Sequence, residues 1–376
     1  MSKSAAKAAR RLWRGFRLPA DAGSILSEPR YHTEAFCRLY LEGCSQLMAA
    51  SPAEALVAAR LGPPLVLKLP PSGGRADLQV TALALLGSAH LANGQLFEAA
   101  STFPLAFEVA ERESVSAAIR GDLDRRYAAL LARQERFGEA ESRLRQALDL
   151  LESIAPGDGD LHPGAVVLER GELRLRQRFF GEAIDDFGLA LVQLDPKRNE
   201  RAYFAAAHNL AAALSLAPEL AFVNQATRWL RFARGRQKGQ RGSRARFALY
   251  CIEAEVLAKV GSTRRAQKNL QIARRGFARL GDRHSLALAS LQLAFLLHGE
   301  GRFDELRQLA GETAAAFAAG EGEGEDAAAL ALLEKWRAAA AEGPVELSLL
   351  AGIDRDLRGL FALSGRRAAF GGPPRM

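Results

Sequence analysis

Residues 82–106 read ALALLGSAHLANGQLFEAASTFPLA, and the placing of small and bulky residues in them decides the architecture. Gly87 sits in a first apolar run, and Ala99, Phe103 and Ala106 follow in a second, with Asn93-Gly94 between the two. Apolar residues at helical spacing on both sides of a turn predict two helices. Small residues on the facing sides let the helices approach closely, and Phe103 fills the space between them. Asn-Gly supplies a turn that tolerates positive φ. The stretch therefore predicts an antiparallel helical hairpin.

The pattern recurs along most of the 376 residues. First-helix anchors are Gly43, Gly87, Ala128, Gly171, Ala211, Ala254 and Ala294, and their second-helix partners are Ala55, Ala99, Ala140, Ala183, Ala226, Ala266 and Leu306. Partner follows anchor by 12 residues, except in the fifth pair, where Pro218 marks an insertion and the spacing is 15. Four residues past each partner stands Ala59, Phe103, Leu144, Phe187, Leu230, Leu270 or Ala310. An internal repeat of this kind predicts an all-α solenoid of seven hairpins.

From Gly43 to about Thr313 these positions resemble the tetratricopeptide-repeat family, with anchors 40–44 residues apart rather than the usual ~34. The longer period resembles the type found in bacterial transcription activators and kinesin light chains, and Gly157–Gly171 looks like its inter-repeat loop. The first and seventh repeats are degenerate. Residues 244–363 resemble the C-terminal region of bacterial repeat proteins that occur alone or beside helix-turn-helix regulators. The resemblance implies a right-handed superhelix in which first helices line a concave groove that binds another protein or a peptide, and a bacterial regulatory setting.

The expected organisation is a basic arm and linker over 1–33, the array over 34–319, an acidic Gly/Glu hinge over 320–326, capping helices over 327–364 and a disordered tail over 365–376. The arm is either a frayed or weakly docked end or a helix lying on an anionic surface or nucleic acid. Residues 1–33 are too short for a DNA-reading module. Cys37, Cys44 and Cys251 make an odd count with no CxxC, which fits a reducing compartment, and with no secretory leader the chain reads as cytoplasmic. The least charged long stretch, 202–218, reads as a buried helix rather than a membrane span.

Little in the chain points to catalysis or a cofactor. The six histidines show no HxxxH spacing, and neither GxxxxGK[ST] nor GxSxG occurs. Asp158, Asp160 and His162 alternate but lack the terminal glutamate of a calcium loop, so they read as an ordinary polar loop, and Glu321, Glu323, Glu325 and Asp326 read as a solvated hinge. No metal site is expected.

Two binding surfaces are expected instead. Counting from the anchors places Arg125, Glu172, Arg176, His208, Asn209, Glu255 and Gln292 on or near the groove. The Asn209 amide, both donor and acceptor, either holds an extended peptide backbone, as the family resemblance implies, or makes an inter-helix hydrogen bond. The second surface is basic: residues 228–283 hold sixteen Lys/Arg against three acids, while the whole chain carries only +8. Arg228, Arg231 and Arg234 recur every three residues, and Arg236, Lys238, Arg241 and Arg244 continue the run. The expected partner is a protein or peptide, including an acidic one; nucleic acid on the basic segment is the alternative, though aromatic residues for base stacking are few there.

Overall fold

The computed structural model describes residues 22–72, 74–154, 162–217, 219–236, 243–319 and 325–363, and every regular element among them is helical. Two compact units divide at Val166/Val167. The first holds α1 (Glu34–Ala50), α2 (Pro52–Ala59), α3 (Gly62–Leu67), α4 (Arg75–Ala92), α5 (Leu96–Arg112), α6 (Ala117–Arg133) and α7 (Phe137–Glu152). The second holds α8 (Pro163–Arg176) from Val167 on, then α9 (Phe180–Gln193), α10 (Glu200–Leu216), α11 (Val223–Arg236), α12 (Arg244–Lys259), α13 (Thr263–Arg279), α14 (Arg283–Gly299), α15 (Phe303–Ala318), α16 (Glu325–Glu342) and α17 (Leu347–Leu363). Each anchor lies on the first helix and each partner on the second, as the repeat pattern predicts.

Anchor and filler meet as the sequence implies. A Cβ on Gly87 would lie 2.9 Å from the Phe103 ring, and one on Gly171 would lie 2.6 Å from the Phe187 ring; both rings are fully buried. The sixth hairpin reverses the arrangement: Gly276 on α13 is the small residue, and Phe247 of α12 lies over it.

The turn between paired helices is more uniform than the residues that form it. Seven residues past the anchor the backbone turns left-handed at Gly94 (φ 75°), Glu135 (59°), Arg178 (66°), Gly261 (74°) and Gly301 (68°). The next amide closes back on the carbonyl three residues past the anchor: Gln95 to His90 (3.0 Å), Arg136 to Leu131 (2.9 Å), Phe179 to Arg174 (2.9 Å), Ser262 to Leu257 (2.8 Å) and Arg302 to Leu297 (3.0 Å). This is the six-to-one bond of a Schellman cap, which satisfies carbonyls that a helix end leaves open.

Several expectations need correction. Residues 22–33 are not a free linker: two 3₁₀ turns, Ala22–Leu26 and Pro29–Tyr31, bury Ile25 and Tyr31 in the core around Phe36 and Tyr40. The first repeat is degenerate as its Pro63-Pro64 implies: the second helix is split into α2 and α3, because proline starts a helix well but disrupts its interior. The supposed loop ending at Gly171 becomes helix at Pro163, where the His162 Nδ1 accepts from the Gly164 amide at 3.1 Å; Asp158 and Asp160 lie outside the described residues. Asp326 belongs to α16 rather than to a solvated hinge: it accepts from Arg283 (3.0 Å) and pairs with the His284 Nε2 (2.8 Å). Glu325 opens the same helix, while the residues before it, the arm and the tail lie outside the described residues. The three thiols are free and buried, and burial pushes Cys37 and Cys44 up to about 12.

Glu135 and Arg178 hold a conformation that favours glycine. Arg178→Gly should therefore raise stability by roughly 0.5–1 kcal/mol in urea titration, less the entropy that glycine adds to the unfolded chain. Gly171→Ala should cost about 1–3 kcal/mol through overpacking against Phe187, and Phe187→Leu in the same chain should recover part of that loss.

Candidate functional site

Four of the residues expected on the groove, Glu172, Asn209, Glu255 and Gln292, form cross-repeat pairs of one register, which Ser88 and Arg126 share. The residue just after one anchor faces the residue two before the next. In the first unit Arg126 of α6 reaches Ser88 of α4, Nη1 to Oγ at 3.3 Å. In the second unit Asn209 of α10 donates from Nδ2 to Glu172 Oε1 of α8 at 3.0 Å, and Gln292 of α14 donates to Glu255 Oε2 of α12 at 3.5 Å. Each pair is a polar rung between successive first helices. Asn209 thus makes an inter-helix bond, but between repeats rather than inside one.

Arg125 is held within its own helix. Its Nε and Nη2 bond Asp122 Oδ1 at 3.0 and 2.6 Å, and Arg126 takes the other carboxylate oxygen at 2.6 Å. Burial opposes the Asp122 charge, yet Arg126 and Arg125 outweigh it and hold the carboxyl well below the usual carboxylate range.

The two rungs of the second unit differ in exposure. Tyr203, Phe204, His208 and Asn209 are half-buried on α10, Glu172 is half-buried on α8, and Arg176 is exposed one turn beyond it. The ring of His208 stands 6.5 Å from that of Phe204. By contrast, Glu255 and Gln292 are 6% and 4% exposed. The C-terminal helix lies beside this rung: α17 packs on α14 as well as on α16, with Leu350, Ile353, Asp354 and Leu357 all buried, and Asp354 and Arg358 act electrostatically on Glu255. With α13, α15 and α17 around it, α14 is buried on nearly every side, as its apolar sequence requires.

Sequence reasoning placed α17 as an end cap and missed its polar contribution. Asp354, fully buried, accepts from Arg358 through both oxygens at 2.8 Å. The signal was present, since Asp354 falls on the same stripe as Leu350, Ile353 and Leu357. Burial raises the Glu255 pKa to about 7; Lys259 and Arg358 pull it down and Asp354 adds to the rise. The Oε1 of Gln292 is buried with no hydrogen-bond partner. A protonated Glu255 could donate to that oxygen, giving both groups a partner.

The basic segment is less uniform than its composition suggests. Arg228 and Arg231 are exposed on α11. Arg234 is not on their side, because three-residue steps drift back by about 60° each. It pairs with Glu253 of α12 (Nη1 to Oε1, 3.0 Å) and lies over the Tyr250 ring at 4.9 Å. Arg244 bonds Asp282 (2.5 Å) and Ser285 (3.2 Å) at the start of α14. Arg236 closes α11 in backbone position, and Lys238 and Arg241 lie outside the described residues. Among the described residues no group of three or more His, Cys, Asp or Glu could hold a metal ion, and no helix is long and apolar enough to cross a membrane.

The raised Glu255 pKa has a definite sign in stability. The folded chain keeps a proton that the unfolded chain loses near the ordinary glutamate value, so stability should fall as pH rises from there to about 7 and then level off. The slope is at most about 1.4 kcal/mol per pH unit. Denaturation of wild type and Glu255→Gln between pH 5 and 8 should show the decline in the difference between them.

No family model matches the chain, and no curated protein sequence matches it. Solved structures do. A Rap protein complexed with competence and sporulation factor superposes with a TM-score of 0.60 at 12% identity, over 88% of each chain. The apo form of RapI gives 0.58 at 9% identity, over 89% of this chain and 96% of that one. The apo form of the quorum sensor NprR from B. thuringiensis gives 0.56 at 11%, over 88% and 94%. The chain shares the all-α, helical-repeat fold of these bacterial proteins along most of its length.

Proposed function

We propose that the protein is a non-catalytic cytoplasmic adaptor of bacterial regulation, which binds a protein or peptide segment on the first-helix face of α8 and α10. The observation that carries this reading is the contrast between two equivalent rungs. Glu255–Gln292 is covered by the chain's own helix α17, whereas Glu172–Asn209 stays half-buried beside His208 and exposed Arg176. The segment at the covered rung is amphipathic, with an apolar stripe and its own charged pair, and this supports a ligand of the same kind at the open one. The open rung offers the same register of amide and carboxylate with aromatic surface from Tyr203 and Phe204 next to it. The likeness to a Rap protein that was solved with competence and sporulation factor supports a ligand-binding role.

Random peptides displayed and selected on the full chain provide the test. His208→Ala and Arg176→Glu should each weaken the selected peptides by about tenfold, roughly 1.4 kcal/mol, with Tm nearly unchanged. Asn209→Ala should weaken binding and also destabilise the chain by about 0.5–1.5 kcal/mol, because it removes the bond to Glu172. Peptides indifferent to all three substitutions would place binding elsewhere.

A further inference from the structure

Two second helices stand apart from the rest. α11 (Val223–Arg236) and α13 (Thr263–Arg279) contain ten Lys/Arg and no Asp or Glu. The other second helices all carry acids, among them Glu108 on α5, Asp149 on α7, Asp185 on α9 and Glu312 on α15. Both acid-free helices pack against α12.

Part of this charge is used inside the fold. Arg234 pairs with Glu253, Arg274 bonds Ser290 (2.8 Å) and Glu312 (3.2 Å), and Arg264 lies within electrostatic reach of Glu300. Arg228, Arg231, Arg265, Lys268, Arg275 and Arg279 remain exposed, with no ion pair among the described residues. On α13, Arg264, Arg275, Lys268, Arg279 and Arg265 fall within an arc of about 100°, along roughly 22 Å of helix.

Helix stability does not explain this placing. Arg264 and Arg265 occupy the first turn of α13, where the helix dipole disfavours cations. Arg264–Lys268 and Arg275–Arg279 are like-charge pairs one turn apart, which work against the helix. A protein partner is a poor fit, since interfaces centre on apolar and aromatic anchors. No large hydrophobic side chain is exposed on either helix. Arginine suits phosphate, through its planar fork of donors.

We infer that the outward faces of α11 and α13 bind the phosphate backbone of a nucleic acid, without reading its sequence. This surface is separate from the first-helix face proposed for a peptide, so each can fail alone.

Fluorescent duplexes of arbitrary sequence, one DNA and one RNA, titrated with the full chain between 50 and 300 mM salt, make the test. Log affinity should fall linearly with log salt, with a slope of about −4 or steeper, at ~0.9 per phosphate contacted. The tighter duplex identifies the kind of nucleic acid. Lys268→Gln with Arg275→Gln and Arg279→Gln should make the slope shallower by roughly two to three units, and Arg228→Gln with Arg231→Gln by up to about two. Both variants should keep the wild-type circular dichroism and the affinity for peptides selected on the first-helix face. No duplex binding at 50 mM salt, or an unchanged slope in both variants, would overturn the inference. Polyglutamate displacing the duplex as well as unlabelled duplex does would also overturn it, in favour of an acidic protein.

Discussion

One backbone turn governs every regular hairpin of this chain. In five of the hairpins the chain enters the left-handed region seven residues past the anchor, so that the following amide can close on the carbonyl of the last turn. The bond ends the first helix at a fixed residue and therefore sets where the second begins. In those five hairpins this keeps anchor and partner 12 residues apart although the anchor varies between glycine and alanine. Where the sequence asks for something else the spacing changes, as at Pro218. The constraint is strong enough that Glu135 and Arg178 adopt the conformation without being glycine.

With the hairpins set, successive first helices within each unit meet along one register of positions, and the residues in that register set the polarity of the face. Cys44 and Leu85 fall on it between the first two repeats, and Ala212 and Ile252 between the fifth and sixth. Polar rungs occupy the same register at Ser88–Arg126, Glu172–Asn209 and Glu255–Gln292. A buried polar pair is costly unless its hydrogen bonds are complete. The pair covered by α17 is the one whose amide oxygen lacks a partner and whose carboxyl holds its proton up to about 7. The Glu172–Asn209 pair is only half-buried and keeps access to solvent.

Three of the expectations that failed share one reason. Residues 22–33, Asp326 and Arg234 look polar or irregular in the sequence, and that pattern reads as solvent exposure. Their structural role comes from groups distant in the chain: Phe36 and Tyr40 receive Ile25 and Tyr31, Arg283 and His284 receive Asp326, and Glu253 receives Arg234. Local pattern carries no information about such partners.

What the sequence determined by itself was the repeat: helix content, the seven anchors and the helix on which each lies. Periodicity and turn chemistry act over a few residues and are legible one segment at a time. Only the tertiary structure decided which groove residues stay accessible. Glu172 and Glu255 stand one residue past their anchors, and Asn209 and Gln292 two before theirs, so no count along the chain distinguishes the two rungs. The difference is the seat of α17, a packing choice made across about a hundred residues by an apolar stripe and one buried ion pair. It leaves one rung inside the core and the other open.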